Sequence, residues 1–280
     1  MTNNQPLSLS KTEIAIFSEV VWRYYRKASR DDLPWRQTTD PYRIVVSEIM
    51  LQQTQVSRVL DKYKLFIQRF PSTEQLSEAS LGEVLALWQG LGYNRRAKML
   101  WHCAQIVQHD HGSRWPATQA HLQALPGIGP YTAGAVMAFA YNSPVVIIET
   151  NIRTVYLQHF FADQDKVSDK DILNYVEQTL PSENIREWYW ALMDYGSYLK
   201  RVYKHTNHKS KHYQRQSKFI GSDRQIRGAI IRLLVAGDRY TAKQVYQRLQ
   251  YEPSRILQQL DNLCQEGLVV GSRGKYSLPQ

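Results

Sequence analysis

The chain has 280 residues, 43% of them hydrophobic and 21% charged, which is enough to bury a large core and a second, smaller one. Its net charge of +10 favours an anionic partner such as nucleic acid, although such an excess also occurs in proteins that bind none. Two cysteines, Cys103 and Cys264, exclude a disulfide framework, a zinc ribbon or a four-cysteine iron–sulfur site, and both read as small buried hydrophobes in a reducing compartment. Residues 1–10 are polar with no apolar signal region, and no apolar run approaches membrane-spanning length, so a cytoplasmic protein is expected.

Apolar residues at helical spacing begin at Ile14, Phe17, Val20, Val21 and Tyr24. After a break punctuated by Pro34 and Pro41, helical patterns occupy 44–51, 56–66, 81–90, 97–107 and 122–125. Another starts just after Pro130 and runs over 131–140, and further ones cover 152–161, 171–180 and 187–199. The β-branched cluster 144–148 reads as extended but is too short to imply a sheet. The first 220 residues are therefore nearly all helical.

Composition shifts after Asp194. Residues 195–222 contain no acidic residue against seven Lys/Arg, including Lys200, Lys209, Lys211, Arg215 and Lys218, interleaved with His205, His208, His212 and aromatics. Basic side chains among aromatics suit a phosphate backbone; the plainer alternative is a solvated basic loop. The histidines lack a carboxylate or cysteine nearby, so a metal site is not expected. From Asp223 the pattern gives helices over 226–234, 241–249 (with Thr241 as N-cap) and 253–266, then an alternating hairpin around 271–274. Three helices and a hairpin describe a winged helix, with Arg273 and Lys275 in the wing.

Chemistry concentrates in two stretches. In Leu125-Pro126-Gly127-Ile128-Gly129-Pro130-Tyr131, two glycines one residue apart lie between helical patterns. Glycine admits the positive φ of such a turn and leaves no Cβ in the way, so backbone N–H groups can point outward at a phosphate. Glu149, followed by Thr150-Asn151, supplies a carboxylate shortly afterwards. The other stretch holds Glu48 within 45–51, an otherwise apolar helix face. Burial favours the protonated carboxyl, which suits a general acid; the plainer alternative is a Glu bonded to helix ends.

With Leu33-Pro34-Trp35-Arg36, Ser47-Glu48-Ile49-Met50-Leu51-Gln52-Gln53-Thr54 and Trp88-Gln89-Gly90-Leu91-Gly92-Tyr93, the turn gives residues 12–200 a specific resemblance. The chain resembles the helix-hairpin-helix DNA glycosylases and, among them, the mismatch-specific adenine DNA glycosylases (MutY type). The glycine turn alone would indicate only DNA binding. The resemblance implies that Glu48 protonates the leaving adenine and that Tyr131 and Asn151 orient a second catalytic carboxylate, Glu149. It places Gln53 and Tyr93 as wedges around the base opposite the flipped adenine, with Thr54 and Leu91 beside them. Trp35, Arg36, Leu51 and Val56 line the adenine pocket, with Asp194 near it. The amides of Gly127 and Gly129 hold a phosphate, and the resemblance admits a monovalent cation there. Such a site accords with base flipping, which needs a stacking pocket and a wedge for the gap left behind. Relatives similar to endonuclease III carry a lysine right after the hairpin; Tyr131 cannot form an imine, so excision without efficient strand cleavage is expected.

The chain departs from the family in three ways. Glu149 stands where an aspartate is usual, and its extra methylene displaces the charge by about an ångström unless the backbone compensates. The four cysteines of the usual [4Fe–4S] cluster are missing, and the basic residues Lys200, Lys209, Lys211 and Arg215 are expected to take over its phosphate contacts. The tail is too short for a C-terminal domain that inspects 8-oxoguanine. The resulting expectation is an all-α helix-hairpin-helix glycosylase of two helical subdomains over residues 1–221, then a winged-helix domain over 222–280. Its partner is double-stranded DNA with a mispair or lesion, bound as a monomer in the nucleoid, without an iron–sulfur cluster. A glycosylase for T or U opposite G, or for hypoxanthine, is one alternative, and a non-catalytic DNA-binding protein is the other.

Overall fold

The computed structural model describes residues 8–204, 206–213, 218–237 and 239–280. Helix α1 (Lys11–Ala28) is followed by a 3-10 turn, Pro34–Arg36, and then by α2 (Pro41–Leu51) and α3 (Val56–Arg69). Next come α4 (Thr73–Glu78), α5 (Leu81–Leu87), α6 (Arg95–His111) and α7 (Gln119–Gln123). Helices α8 (Pro130–Phe139), α9 (Thr150–Phe160), α10 (Asp169–Thr179) and α11 (Ile185–Val202) precede a second 3-10 turn, Thr206–Lys209. The tail contains α12 (Asp223–Ala236), β1 (Tyr240–Thr241), α13 (Ala242–Leu249), α14 (Pro253–Gln265), β2 (Val270–Ser272) and β3 (Lys275–Ser277). The chain divides into two compact units, residues 1–44, 117–120 and 129–215 in the first and 45–116, 121–128 and 216–280 in the second.

In the first unit, Ser10 starts α1 with a capping box: its hydroxyl accepts from the Glu13 N–H, and the Glu13 carboxylate accepts from the Ser10 N–H. Two of the helix's orphan donors are thereby satisfied. The buried stripe of α1 sets the Phe17 ring 5.3 Å from Tyr156 of α9 and 6.0 Å from Trp188 of α11. Residues 132–139 of α8 are all buried, as expected of a helix that is apolar around its whole circumference. The extended segment 144–148 runs past it without pairing, close enough that a Cβ on Gly134 would overlap the Ile147 side chain. Arg186 donates to the carbonyls of Phe139 and Ala140, which satisfies the last turn of α8.

In the second unit, Phe66 packs against Phe70 and Trp88 at centroid distances of 5.1 and 6.0 Å. The tail belongs to this unit. Ile226, Ile230, Ile231, Val245, Ile256, Leu260 and Leu263 from its three helices are buried together. Its strands form an antiparallel sheet in the order β1-β3-β2, and the β2–β3 turn places Arg273 and Gly274 at φ +50° and +72°, as a two-residue hairpin turn requires. Lys98 Nζ donates to the Glu266 carbonyl at 2.5 Å, and the Gly82 N–H donates to Pro279 O at 2.9 Å.

The all-helical architecture expected from the sequence is the observed one, with differences at ends. The pattern over 81–90 stops at Leu87, because Gly90 takes φ +93° and turns the chain. Helix α4, capped by Ser72, and strand β1 escaped the reading; one is six residues long and the other two, too short for periodicity to show. No helix among the described residues is long and apolar enough to cross a membrane.

Cys103 is fully buried in α6, and burial pushes its thiol up to about 12. Cys264 in α14 is partly exposed. A thiol reagent at pH 8 is therefore expected to modify Cys264 in the native protein and Cys103 only after denaturant is added, as a two-step thiol titration will register.

Candidate active site

Helix α2 is buried along its length. Every residue from Ile44 to Met50 is among the least accessible in the protein, and Glu48, at 7% exposure, is one of them. The helix begins where Asp40 Oδ1 accepts from the Tyr42 N–H at 2.9 Å. Leu51 and Val56, which flank the next turn, are half-buried.

Glu149 is the N-cap of α9. Its Oε1 accepts from the N–H groups of Asn151 and Ile152 at 2.7 and 3.0 Å, and its Oε2 accepts from Asn151 Nδ2 at 3.2 Å. The longer side chain curls back onto the first turn, so the carboxylate is held at the positive end of the helix. Lys200 Nζ donates to Asn151 Oδ1 at 3.4 Å, extending the chain Lys200–Asn151–Glu149. Helix α11 comes so close here that a Cβ on Gly196 would overlap the Asn151 carbonyl. Tyr131 sits half-buried in the first turn of α8, in the same unit.

The loops that carry Gln53, Thr54, Leu91 and Tyr93, the residues expected at the wedge, are organised by a side chain the sequence did not single out. Arg96 Nη1 donates to the carbonyls of Ile49, Met50 and Gln52 at 2.7, 3.1 and 2.6 Å. Its Nη2 donates to Thr54 Oγ1 and to the carbonyls of Leu91 and Gly92 at 3.1 to 3.2 Å. One guanidinium thus ties the open C-terminal end of α2 to the loop before α6, and burial pulls it down to about 10 without uncharging it at neutral pH. Between these anchors, Gln53 and Tyr93 take φ +52° and +48°, left-handed conformations that cost a non-glycine residue about 1–3 kcal/mol each. Both side chains are exposed, whereas Leu91, expected beside them at the wedge, is 4% exposed and belongs to the core. The adjoining pair Arg95-Arg96 was the only signal that could have drawn attention to this clamp.

Trp35 and Arg36 are buried, and Arg36 is committed to Asp194. Asp194 accepts from Arg36 Nη1 and Nη2 at 2.8 and 2.9 Å and from the Arg30 N–H and Nε at 3.0 and 2.6 Å. Every lone-pair direction of this buried carboxylate is occupied, so it fixes the Arg36 guanidinium in place beside the Trp190 ring, 5.3 Å away.

Residues 46–253 match the HhH-GPD superfamily of base excision DNA repair proteins. The chain belongs to this superfamily. It is similar to the adenine DNA glycosylase of Mycolicibacterium smegmatis (strain ATCC 700084 / mc(2)155), with 33% identity over 269 residues, 89% of this chain and 92% of that protein. The adenine DNA glycosylase of Buchnera aphidicola subsp. Acyrthosiphon pisum (strain APS) is 35% identical over 185 residues, 65% of this chain. The chain spans about half, 53%, of that relative's length. A solved thermostable thymine-DNA glycosylase superposes with a TM-score of 0.60 at 26% identity, over 66% of this chain and 87% of that one.

Within this HhH-GPD chain the two hairpin glycines serve different ends. Gly127 has φ +78°, and a Cβ there would stand 2.7 Å from Met99 Cβ. Gly129, expected to share the positive φ, has φ −85° and caps α8; its missing Cβ leaves the space around the helix start open. The basic segment is also not the free loop expected. Thr206 and Ser210 are buried, Asn207 Oδ1 accepts from Thr154 Oγ1 at 2.8 Å, and Lys209 Nζ donates to the Ala162 carbonyl. Residues 209–211 bridge to Val167 through backbone bonds at 2.9 Å. Lys209 is thus a structural tie, while Lys200 and Lys211 are exposed; Arg215 and His205 lie outside the described residues.

The iron–sulfur cluster usual in the family does not fit the residues present. Two cysteines, one in the core of α6 and one in α14, cannot supply four thiolates, and no group of three or more His, Cys, Asp or Glu among the described residues is placed to hold a metal.

Arg96→Ala is expected to cost about 2–5 kcal/mol in urea unfolding by stranding carbonyls at 49, 50 and 52, with proteolysis appearing first near residues 52–55. Arg96→Lys should recover less than half of the loss, because a point charge cannot span six acceptors. Gly196→Ala should cost about 1–3 kcal/mol in thermal unfolding, against less than about 0.5 kcal/mol for the neighbouring Ser197→Ala.

Proposed function

We propose that the chain is a monofunctional adenine DNA glycosylase that excises adenine mispaired with 8-oxoguanine or guanine during base excision repair. The observation that carries this reading is the carboxyl of Glu48 inside α2, whose other residues from Ile44 to Met50 are almost wholly inaccessible. An apolar side chain would pack there at no desolvation cost, and a buried acid is what protonation of a leaving base needs.

In this mechanism Glu48 gives its proton to the adenine ring, which weakens the N-glycosidic bond. Glu149 faces the sugar as positive charge develops there, pre-oriented by three N–H donors and therefore with little reorganisation in the transition state. The base leaves with that proton and the pair of electrons of the C–N bond, water adds to the sugar carbon, and the proton that water loses goes to the Glu48 carboxylate, which restores the acid. Tyr131, having no amine, forms no imine, so the strand stays intact. The anchoring of Glu149 supports retention of catalysis despite the extra methylene. Trp35, Leu51 and Val56 would line the adenine pocket, with Arg36 fixed by Asp194. Gln53, Thr54 and Tyr93 would fill the stack, and the amides of Gly127 and Gly129 with Lys200 and Lys211 would meet phosphates, where a monovalent cation is also admitted. The net charge of +10 supports double-stranded DNA as partner, bound by a monomer in the cytoplasm. The three helices and antiparallel sheet of the tail support a winged-helix domain over residues 222–280, beside a glycosylase domain over 1–221.

The likeness to a thymine-DNA glycosylase favours a second reading, thymine opposite guanine. Single-turnover excision on A·8-oxoguanine, A·G and T·G duplexes separates the two. The expected result is abasic product from adenine, with strand breaks only after alkali and a fall of about 10²-fold or more in Glu48→Gln and Glu149→Gln. Product from T·G alone would transfer the activity to thymine, and tight binding without product from any duplex would leave a DNA-binding protein.

A further inference from the structure

The turn that leads into α12 presents two consecutive large apolar side chains to solvent. Phe219 is 57% exposed and Ile220 is 87% exposed, the highest value of any large hydrophobic residue among those described. An isolated apolar residue at the surface is ordinary, but an adjacent pair at the tip of a turn calls for a reason.

The turn is held in place. The Phe219 carbonyl accepts from the Ser222 N–H at 3.1 Å and from Ser222 Oγ at 2.6 Å, and the Gly221 N–H donates to Gln225 Oε1 at 2.7 Å. Arg255 of α14 adds a bond from Nη2 to the Gly221 carbonyl at 3.1 Å. Gly221 has φ +78° and Ile220 does not share the positive sign, so the turn is of type II with Ile220 at its apex. Four hydrogen bonds thus fix a tip whose outward side chains are apolar.

The charge around the tip says what it meets. Residues 195–222 contain no acid, and Lys218 adjoins the turn. Asp223, the first acid beyond it, is occupied by Arg255 at 2.5 Å. Arg224 ties the tip to the loop of Tyr93 within the second unit: its Nη1 donates to Tyr93 Oη at 2.8 Å and its Nη2 to the Lys218 carbonyl at 3.5 Å. One guanidinium therefore sets the two loops side by side.

An apolar tip in a cationic collar suits stacked bases, between which apolar side chains insert while basic ones meet the flanking phosphates. We propose that Phe219 and Ile220 enter between adjacent base pairs of duplex DNA, at a step separate from the one that Tyr93 reaches. The tail thereby helps to bend the duplex, whichever base is excised. The assignment rests on duplex DNA as the partner in the proposed function.

The test uses the full chain and duplexes with a 2′-fluoro adenosine opposite 8-oxoguanine, in which 2-aminopurine, brighter when unstacked, is moved stepwise along the flanks. Wild type should raise the signal beside the mispair and at a second, separate step. Phe219→Ser and Ile220→Ser, at an unchanged Tm, should abolish the second rise, keep the first and weaken binding about tenfold without changing its salt slope. Lys218→Ala should lower that slope by about one and keep both rises. A wild-type signal confined to the mispair, or a second rise that persists in both serine variants, would overturn the proposal. So would serine variants that match wild type on DNA and lose self-association or vesicle binding, which would give the tip to a second copy or a lipid surface. Failure to bind any duplex would remove the proposed partner along with the wedge, whereas a second unstacked step without adenine excision from the natural duplex would remove the activity and uphold the wedge.

Discussion

Six hydrogen bonds from one guanidinium set the geometry of the two loops that carry Gln53 and Tyr93. A helix that ends in a tight turn leaves its last carbonyls without donors, and α2 ends that way because the chain must reverse within residues 51–55 to begin α3. Arg96 supplies those donors through Nη1 from the start of α6 and turns Nη2 to the carbonyls before Tyr93, while its buried Nε makes no hydrogen bond. Two loops distant in sequence therefore hold their shapes through a shared partner. Arginine suits the position because it stays charged when buried and presents several donors in one plane.

The two carboxylates at the centre of the proposed chemistry sit in different surroundings. Glu48 lies on a helix with almost no accessible surface. Glu149 is confined by hydrogen bonds to backbone amides at the start of α9. Packing keeps water from Glu48, whereas the amides of Asn151 and Ile152 fix the orientation of the Glu149 carboxylate. Gly196 contributes by absence, since any side chain there would displace Asn151 and with it the cap.

Much of the fold was legible because long amphipathic helices announce themselves. The patterns at 56–66, 97–107 and 187–199 fall inside α3, α6 and α11, each of which extends a few residues further at its polar ends. The apolar run around Glu48 and the glycine turn ahead of Glu149 drew attention to those two carboxylates, whereas the resemblance alone pointed to Gln53 and Tyr93. Side chains that act through the backbone were harder to see. Arg96 looks like any basic residue opening a helix, and its role depends on carbonyls more than 40 residues away in sequence. Lys209 looked like a phosphate ligand by composition, yet a nearby carbonyl at the end of α9 claims it. Gly129 shows the limit of reading glycine as positive φ: the residue can be needed for the room it leaves. Asp194 was placed near a pocket, but its four bonds to Arg30 and Arg36 are invisible in sequence.

The left-handed backbones at Gln53 and Tyr93 bear on how far this molecule can be hardened. Ordinarily a positive-φ residue is an easy target for stabilisation, because glycine relieves the strain at little cost in contacts. Here the two strained positions carry the side chains that project outward between the clamped loops. Relaxing them would raise the melting temperature and remove those side chains in the same step. Thermal tolerance and the outward reach of these side chains are thus coupled at two residues, and a more robust variant must draw its gains from elsewhere, such as the exposed faces of α1 and α3.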